Sequence, residues 1–167
     1  MTEMEKRATI MHLLEHGDFA KEQEIPHHFC TNVLRHSISV ARGSLKLAEK
    51  LHIKVNESDL LYGALLHDYF LYNYRKSNSH HGLHGYTHAK IAADNARKDY
   101  KINDRVYNII YSHMFPLNLT HLPKCKEAWI VTFVDKVVAL KEQSAVIRNF
   151  SLSGLKKSLY FTDDAKI

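Results

Sequence analysis

Apolar residues recur along the chain at spacings of three and four, which is the period of an amphipathic helix rather than the alternation of a strand. Six glycines and three prolines in 167 residues leave few interruptions to that period. The pattern predicts helices over residues 3–16, 28–52, 57–73, 84–98, 103–115 and 124–148. The segment 151–167 is polar apart from a short apolar patch, and we expect it to be only partly ordered.

The predicted fold is all-α, with about six or seven helices in one compact bundle. We expect a single domain over residues 1–167, with its core between about 28 and 148, because no repeat, linker or change of composition divides the chain. A chain of 167 residues has the length of one domain and is long enough to bury a core.

Composition places the protein among ordinary globular domains, with 45% hydrophobic and 25% charged residues. Neither an apolar run of about 20 residues nor the apolar core of a signal peptide is present, so we expect a cytoplasmic protein without membrane contact. Cys30 and Cys125 form no CxxC pair, and reduced thiols are the simpler expectation for both.

The formal net charge of +5 is mild, and the basic residues are scattered rather than gathered in a run. Nucleic-acid binding is therefore not expected, whereas an anionic small molecule suits the charge balance. The unusual feature of the composition is histidine, with 13 residues in the chain.

Several polar residues fall on the apolar faces of the predicted helices. His36 and His113 continue apolar stripes, and Asp135 lies inside "WIVTFVDKVVAL". Any one of them is also typical of a hydrogen-bonded core residue, and Asp135 has Arg42 and Arg148 as alternative partners. Because a buried carboxylate needs a partner, a proton or a metal, several such residues on different helices favour one shared cation. Imidazole with carboxylate suits iron, manganese, zinc or cobalt.

The stretch "GALLHDYF" adds an adjacent pair, His67 and Asp68, at the end of an apolar run. With His36 before it and Asp135 after it, the pair resembles the H…HD…D pattern of the HD-domain superfamily of metal-dependent phosphohydrolases. The resemblance covers about residues 30–143 and implies the helical bundle of that superfamily. The segments "LLHDYFLYNYR" and "LHGYTHA" also resemble a group of small bacterial HD proteins.

HD proteins with two metals add two histidines between the HD pair and the final aspartate. His113 is one candidate, and His88 is the other because "THAKIAADNA" resembles the corresponding helix start. His84, four residues before His88, is the rival ligand, and we otherwise expect it to have a catalytic or substrate-contacting role. The resemblance thus implies two divalent ions (Fe, Mn, Zn or Co) bridged by Asp68. The implied ligands are His36, His67, Asp68, His88, His113 and Asp135.

Candidate contacts for the substrate's phosphate are Arg75, Lys76 and Lys136, although each also fits a solvated position. Tyr69, Tyr72 and Tyr74 are expected either to line the mouth of the pocket or to cover the core. The resemblance implies hydrolysis of a phosphate ester or anhydride of a nucleotide-like small molecule by a metal-activated water, with Asp68 as a catalytic residue. Two alternatives stay open: a mixed-valent di-iron oxygenase of the HD type and a non-catalytic regulatory module that binds metal.

Overall fold

The computed structural model describes residues 1–27, 31–73 and 84–160, with side chains as far as Ser144. The all-α fold is confirmed, with a two-stranded antiparallel ladder as a small addition. The α-helices are α1 (Glu3–Glu15), α2 (Val33–Lys50), α3 (Glu57–Leu66), α4 (His84–Tyr100), α5 (Asp104–Ser112) and α6 (Lys126–Tyr160). A 3₁₀ helix (Phe19–Glu24) and the strands β1 (Pro26–His27) and β2 (Thr31–Asn32) connect α1 to α2.

The start of α2 differs from the prediction, because the helix begins at Val33 rather than near residue 28. The side chain of Asn32 caps it by accepting a hydrogen bond from the backbone N–H of Arg35 at 2.9 Å. Before the cap, the chain forms the β1–β2 ladder, in which His27 pairs with Thr31. This short ladder and the preceding 3₁₀ helix were not predicted, since two-residue strands have no readable period.

Helix α3 ends at Leu66, seven residues before its predicted end. His67 is its C-terminal cap, and the backbone N–H of Tyr69 donates to the Leu66 carbonyl at 3.1 Å, which closes the last turn. Leu71 then has a φ of 58°, a left-handed conformation that no helix continues. The predicted helix was too long because Tyr69 and Phe70 are apolar but belong to the turn that follows the His-Asp pair.

Helices α5 and α6 also depart from their predicted ends. Helix α5 stops at Ser112 rather than 115, so that His113 is its C-terminal cap. Helix α6 begins at Lys126 and continues to Tyr160, well beyond the predicted end at 148, so the first ten residues of the predicted tail are helical. Residues 161–167, and Cys30 with its two preceding residues, lie outside the described part of the chain.

The helices pack closely where two glycines allow it. A Cβ added to Gly63 on α3 would lie 2.5 Å from Cγ2 of Ile109 on α5. A Cβ added to Gly43 on α2 would lie 2.7 Å from Cγ1 of Val134 on α6. These close approaches bring the end of α3 beside the end of α5, and α2 beside α6. The core between the helices includes Leu13, Phe19, Val40, Leu60, Leu65, Ile109, Ile110 and Val131.

Tyr69 belongs to the core rather than to a pocket mouth, since none of it is exposed. Its hydroxyl donates to Oδ2 of Asp99 at 2.8 Å and accepts from the backbone N–H of Asp18 at 2.8 Å. Among the described residues, none of the helices combines the length and the apolar character that crossing a bilayer requires.

Candidate metal centre

The structure brings together all six residues that the H…HD…D pattern and its extension predicted. They come from α2, the end of α3, α4, the end of α5 and α6, and all except Asp135 are at most 5% exposed. Two groups of three ligand atoms result, and within each group the atoms lie within 4.8 Å of one another. The first group consists of His36, His67 and Asp135, and the second consists of Asp68, His88 and His113.

In the first group, Oδ1 of Asp135 lies 3.1 Å from Nε2 of His36 and 3.7 Å from Nε2 of His67. The other ring nitrogen of His67, Nδ1, lies 2.9 Å from the backbone carbonyl oxygen of Ala64. Because a carbonyl oxygen only accepts hydrogen bonds, Nδ1 holds a proton, and in the neutral ring Nε2 carries the lone pair. That buried Nε2 has no hydrogen-bond partner among the described residues, as expected of a nitrogen reserved for a metal.

In the second group, Nε2 of His88 lies 3.0 Å from Nε2 of His113. The Nδ1 atom of His88 faces the backbone carbonyl of His84 at 2.6 Å, and that of His113 faces the carbonyl of Ile110 at 2.7 Å. Both Nδ1 atoms therefore donate, and two Nε2 lone pairs converge on one point. Burial, then the electrostatic effect of His88 and His67, lowers the pKa of His113 to about 3, so its ring is neutral.

Asp68 lies between the two groups. Its Oδ1 is 3.4 Å from Nε2 of His88 and 3.6 Å from Nε2 of His113, whereas its Oδ2 is 3.6 Å from Nε2 of His67. Burial would raise the pKa of this carboxyl, but the nearby His67, His27 and His88 outweigh burial and lower it well below its ordinary value. An ionised carboxylate thus presents one oxygen to each group, which fits a bridge between two cations.

Glu142, which sequence reasoning missed, orients His36. Its Oε2 lies 3.1 Å from Nδ1 of His36, opposite the Nε2 atom that faces Asp135. Burial alone would lower the pKa of His36, but hydrogen bonds to Asp135 and Glu142 raise it to about 10. The sequence held a usable signal, because Glu142 follows Asp135 by seven residues and so lies on the same face of α6.

His27 is the second residue that sequence reasoning missed. Its Nε2 lies 3.2 Å from Oδ2 of Asp68, and its ring stacks on that of His36 with centroids 4.0 Å apart. Together with His36 and Asp68 it forms a third group of three candidate ligand atoms within 4.8 Å. No periodic signal could have indicated it, because His27 lies in a two-residue strand.

The chemistry of these donors fits divalent transition-metal ions. Three histidines hold their Nδ1 protons against backbone carbonyls and aim their Nε2 atoms inward, and carboxylates alternate with them. Imidazole nitrogens whose second nitrogen is fixed in this way, combined with carboxylate oxygens, are the usual ligands of iron, manganese, zinc and cobalt.

The comparisons with known proteins agree with this reading. Residues 33–140 match the family model named HD domain. The chain belongs to the HD domain family. The resemblance predicted from the H…HD…D pattern is thereby confirmed, and all six candidate ligands lie within the matched residues. His27 and Glu142 lie just outside the HD domain match, one on either side of it.

One curated relative of this HD domain protein is the dihydroneopterin 2',3'-cyclic phosphate phosphodiesterase of Methanocaldococcus jannaschii. The two are 32% identical over 120 residues, which is 66% of this chain and 47% of the relative. The chain thus spans about half the length of the curated relative that it matches. No solved structure matches the chain significantly.

His84 lies on the same face of α4 as His88 but is not part of the three candidate ligand groups. Its ring stacks on that of His88 with centroids 4.5 Å apart, and its Nδ1 shares a hydrogen bond of 2.8 Å with the hydroxyl of Tyr72. Burial, followed by the electrostatic effect of His88, lowers the pKa of His84 to about 4, so the ring is neutral near pH 7. The geometry therefore favours His88 as the ligand and His84 as a pocket residue.

Of the three predicted phosphate contacts, Lys136 is the one that lies in the part of the chain that the structure describes. Its Nζ donates to the backbone carbonyl of His113 at 2.7 Å and to Oδ2 of Asp135 at 3.0 Å. The ammonium group therefore lies beside the candidate ligands rather than pointing away from them. Arg75, Lys76 and the preceding Tyr74 lie outside the described residues.

A cleft of about 410 Å³ opens onto the HD domain centre. Candidate ligands form part of its wall, and Lys136 also lines it. The lining residues include His27, Asp68, His84, His88, His113 and Lys136. A small anionic molecule in this cleft would contact the second group of donors, His84 and the lysine.

Proposed function

We propose that this HD domain protein is a metal-dependent phosphohydrolase that acts on a small phosphorylated molecule through a two-metal centre. The observation that carries the proposal is the position of Asp68, whose two carboxylate oxygens face two separate groups of histidine Nε2 atoms. One group would hold an ion with His36, His67 and Asp135, and the other with His88 and His113. Asp68 would be shared by both ions.

Bound divalent ions lower the pKa of a coordinated water and neutralise charge on the phosphoryl oxygens of a substrate. The chain's own residues prepare the site for such a substrate. The carboxylates of Asp68 and Asp135 offset only part of the charge of two divalent ions, which leaves a centre that attracts anions. Lys136, held by the His113 carbonyl and by Asp135, adds positive charge at the edge of the cleft.

His84 is the proposed contact for the part of the substrate that leaves the phosphorus. Its ring is part of the cleft wall beside His88, and its hydrogen bond with Tyr72 fixes its orientation. Because the pKa of His84 is lowered to about 4, the neutral ring would serve as a hydrogen-bonding group rather than as a charged one near pH 7.

A cyclic phosphodiester is the first substrate class that we propose. Its support comes from the relative in Methanocaldococcus jannaschii, whose name gives dihydroneopterin 2',3'-cyclic phosphate as its substrate. The same five-membered cyclic phosphate occurs in nucleoside 2',3'-cyclic phosphates, which would meet the sequence-based expectation of a nucleotide-like substrate. Water would form one P–O bond while one ring P–O bond breaks, and the product would be a phosphate monoester.

The test uses protein stripped with a chelator and reloaded separately with Mn²⁺, Fe²⁺, Co²⁺ or Zn²⁺. Phosphorus NMR would follow dihydroneopterin 2',3'-cyclic phosphate, nucleoside 2',3'-cyclic phosphates and simple phosphate monoesters. We expect hydrolysis of at least one class, and a loss of at least about 100-fold in the Asp68→Ala variant, which removes a ligand of both ions. An oxygen electrode on the Fe²⁺ form provides the opposing outcome: oxygen consumption without hydrolysis would overturn the proposal in favour of an oxygenase.

A further inference from the structure

We infer that His27 is an additional metal ligand and that Glu142 positions it together with His36. The inference rests on the proposed metal centre and assigns to it two residues outside the HD domain match, which covers 33–140. The two segments that flank the HD domain, β1 on one side and the continuation of α6 on the other, would thus complete the centre.

The position of His27 is that of a ligand. Its Nε2 lies 3.2 Å from Oδ2 of Asp68, a usual separation for two donors on one ion, and only 8% of the residue is exposed. Its ring is stacked on His36 at 4.0 Å, so the two imidazoles reach the centre side by side. The donor atoms of His27, His36 and Asp68 lie within 4.8 Å of one another, as do the donor atoms within each of the other two groups.

Glu142 favours the orientation of His27 in which Nε2 would face a metal. The same oxygen, Oε2, lies 3.1 Å from Nδ1 of His36 and 3.8 Å from Nδ1 of His27. A carboxylate beside Nδ1 favours a proton on that nitrogen in both rings, so that a metal would meet the Nε2 atoms on the side of Asp68 and Asp135. A proton on Nδ1 would give His27 the tautomer that backbone carbonyls fix in His67 and His113.

The competing arrangement is a His27 that donates from Nε2 to Asp68 and contacts no metal. In a neutral ring that arrangement turns the Nδ1 lone pair toward the carboxylate of Glu142, where two electron-rich atoms repel each other. In that arrangement Oδ2 of Asp68 also accepts a hydrogen bond on the side that would face the ion bound by His36. With a metal at Nε2, the N–H group at Nδ1 would face Glu142, and Oδ2 of Asp68 could bind the same ion.

The consequence is an asymmetric pair of ions. The ion beside His36 would have His67, Asp135, Oδ2 of Asp68 and His27 as neighbours, whereas the other would have only Oδ1 of Asp68, His88 and His113. The second ion therefore keeps more positions for water and for a phosphate oxygen. It is also the ion beside His84, on the wall of the cleft.

The test compares the wild type with His27→Ala, Glu142→Gln and a control, His12→Ala, which removes an exposed histidine of α1 away from the centre. Each protein is stripped and titrated with Co²⁺, and the visible absorption, the bound metal and the titration calorimetry are recorded. We expect His27→Ala to lower the affinity for one of the two ions by about 10- to 100-fold and to change the Co²⁺ spectrum. Added imidazole should restore part of that affinity. Glu142→Gln should lower the affinity for the same ion, and His12→Ala should leave the affinity for both ions unchanged.

A measurement on the wild type keeps the inference testable if a variant fails to fold. In the Co²⁺-loaded protein, each ligating imidazole gives one exchangeable, paramagnetically shifted ring N–H resonance. Five such resonances would include His27, and four would exclude it. An unchanged spectrum and affinity in His27→Ala would overturn the inference while the metal centre stands, whereas a wild type that binds no ion would overturn the proposed function itself.

Discussion

Nε2 of His88 and Nε2 of His113 face each other across 3.0 Å, and each ring is fixed in that orientation by a backbone carbonyl at its Nδ1. Two neutral imidazoles in this arrangement repel each other through their lone pairs unless a cation or a proton lies between them. The contact joins α4 to the end of α5, so the stability of the bundle depends on what occupies that point.

Removing metal should therefore destabilise the protein. We expect a chelator to lower the melting temperature and a divalent ion to restore it, with a gain of about 2.7 kcal/mol when the free ion is at 100 times its dissociation constant. Differential scanning calorimetry at several ion concentrations measures the effect. The matched control is the double variant with His88→Ala and His113→Ala, in which the metal-dependent shift of the melting temperature should shrink. An equal shift in the wild type and the double variant would contradict the assignment of these two histidines as ligands.

His88 and His84 should differ in what their removal changes. We expect His88→Ala to lower the bound metal by one ion per chain, because it removes one of three donors of the second group. His84→Ala should keep the metal content and lower kcat/KM by about 10-fold, the size of one lost hydrogen bond to substrate. Elemental analysis and steady-state kinetics on the same preparations separate the two. Metal loss in His84→Ala alone would reverse the two roles.

Five of the six convergent residues were predictable because each lies on an apolar stripe or beside an apolar run, where a polar side chain needs an explanation. His88 was predicted only from the resemblance of "THAKIAADNA" to the helix start of two-metal HD proteins. The end of α3 could not be predicted, because the apolar Tyr69 and Phe70 extend the helical pattern into a turn in which Leu71 has a positive φ. His27 escaped prediction for a different reason. Its place in the centre is set by a two-residue ladder and by its stacking on His36, and contacts of this kind depend on tertiary structure alone.

Gly63 should be intolerant of a side chain, since a Cβ there would lie 2.5 Å from Ile109 across the α3–α5 contact. We expect Gly63→Ala to lower the free energy of unfolding by about 1–3 kcal/mol through overpacking. Gly85→Ala is the matched control, because a Cβ on Gly85 would lie 3.5 Å from Leu117, at ordinary contact distance. That control should be neutral or more stable by about 0.5–1 kcal/mol, the usual gain of Ala over Gly in a helix. Urea unfolding measures both, and similar effects for the two variants would show that α3 and α5 can separate at little cost.

Glu22, on the 3₁₀ helix, should make the metal-free protein less stable as the pH rises. The side chain is fully buried, and burial, then the charge of Asp68, raise its pKa well above the ordinary 4.5. Between the two pKa values the folded state holds a proton that the unfolded state has released, so the free energy of unfolding falls with increasing pH. The glutamine in Glu22→Gln cannot titrate. We therefore expect the free energy of unfolding of the variant to rise relative to that of the wild type from pH 5 to pH 8. The difference should grow by about 1.4 kcal/mol for each pH unit that lies between the unfolded and the folded pKa within that range. Urea unfolding in the presence of a chelator at several pH values measures the difference, with exposed Glu24→Gln on the same helix as the control. Parallel stability curves for the wild type and Glu22→Gln would show that Glu22 ionises as easily in the folded protein as in the unfolded chain.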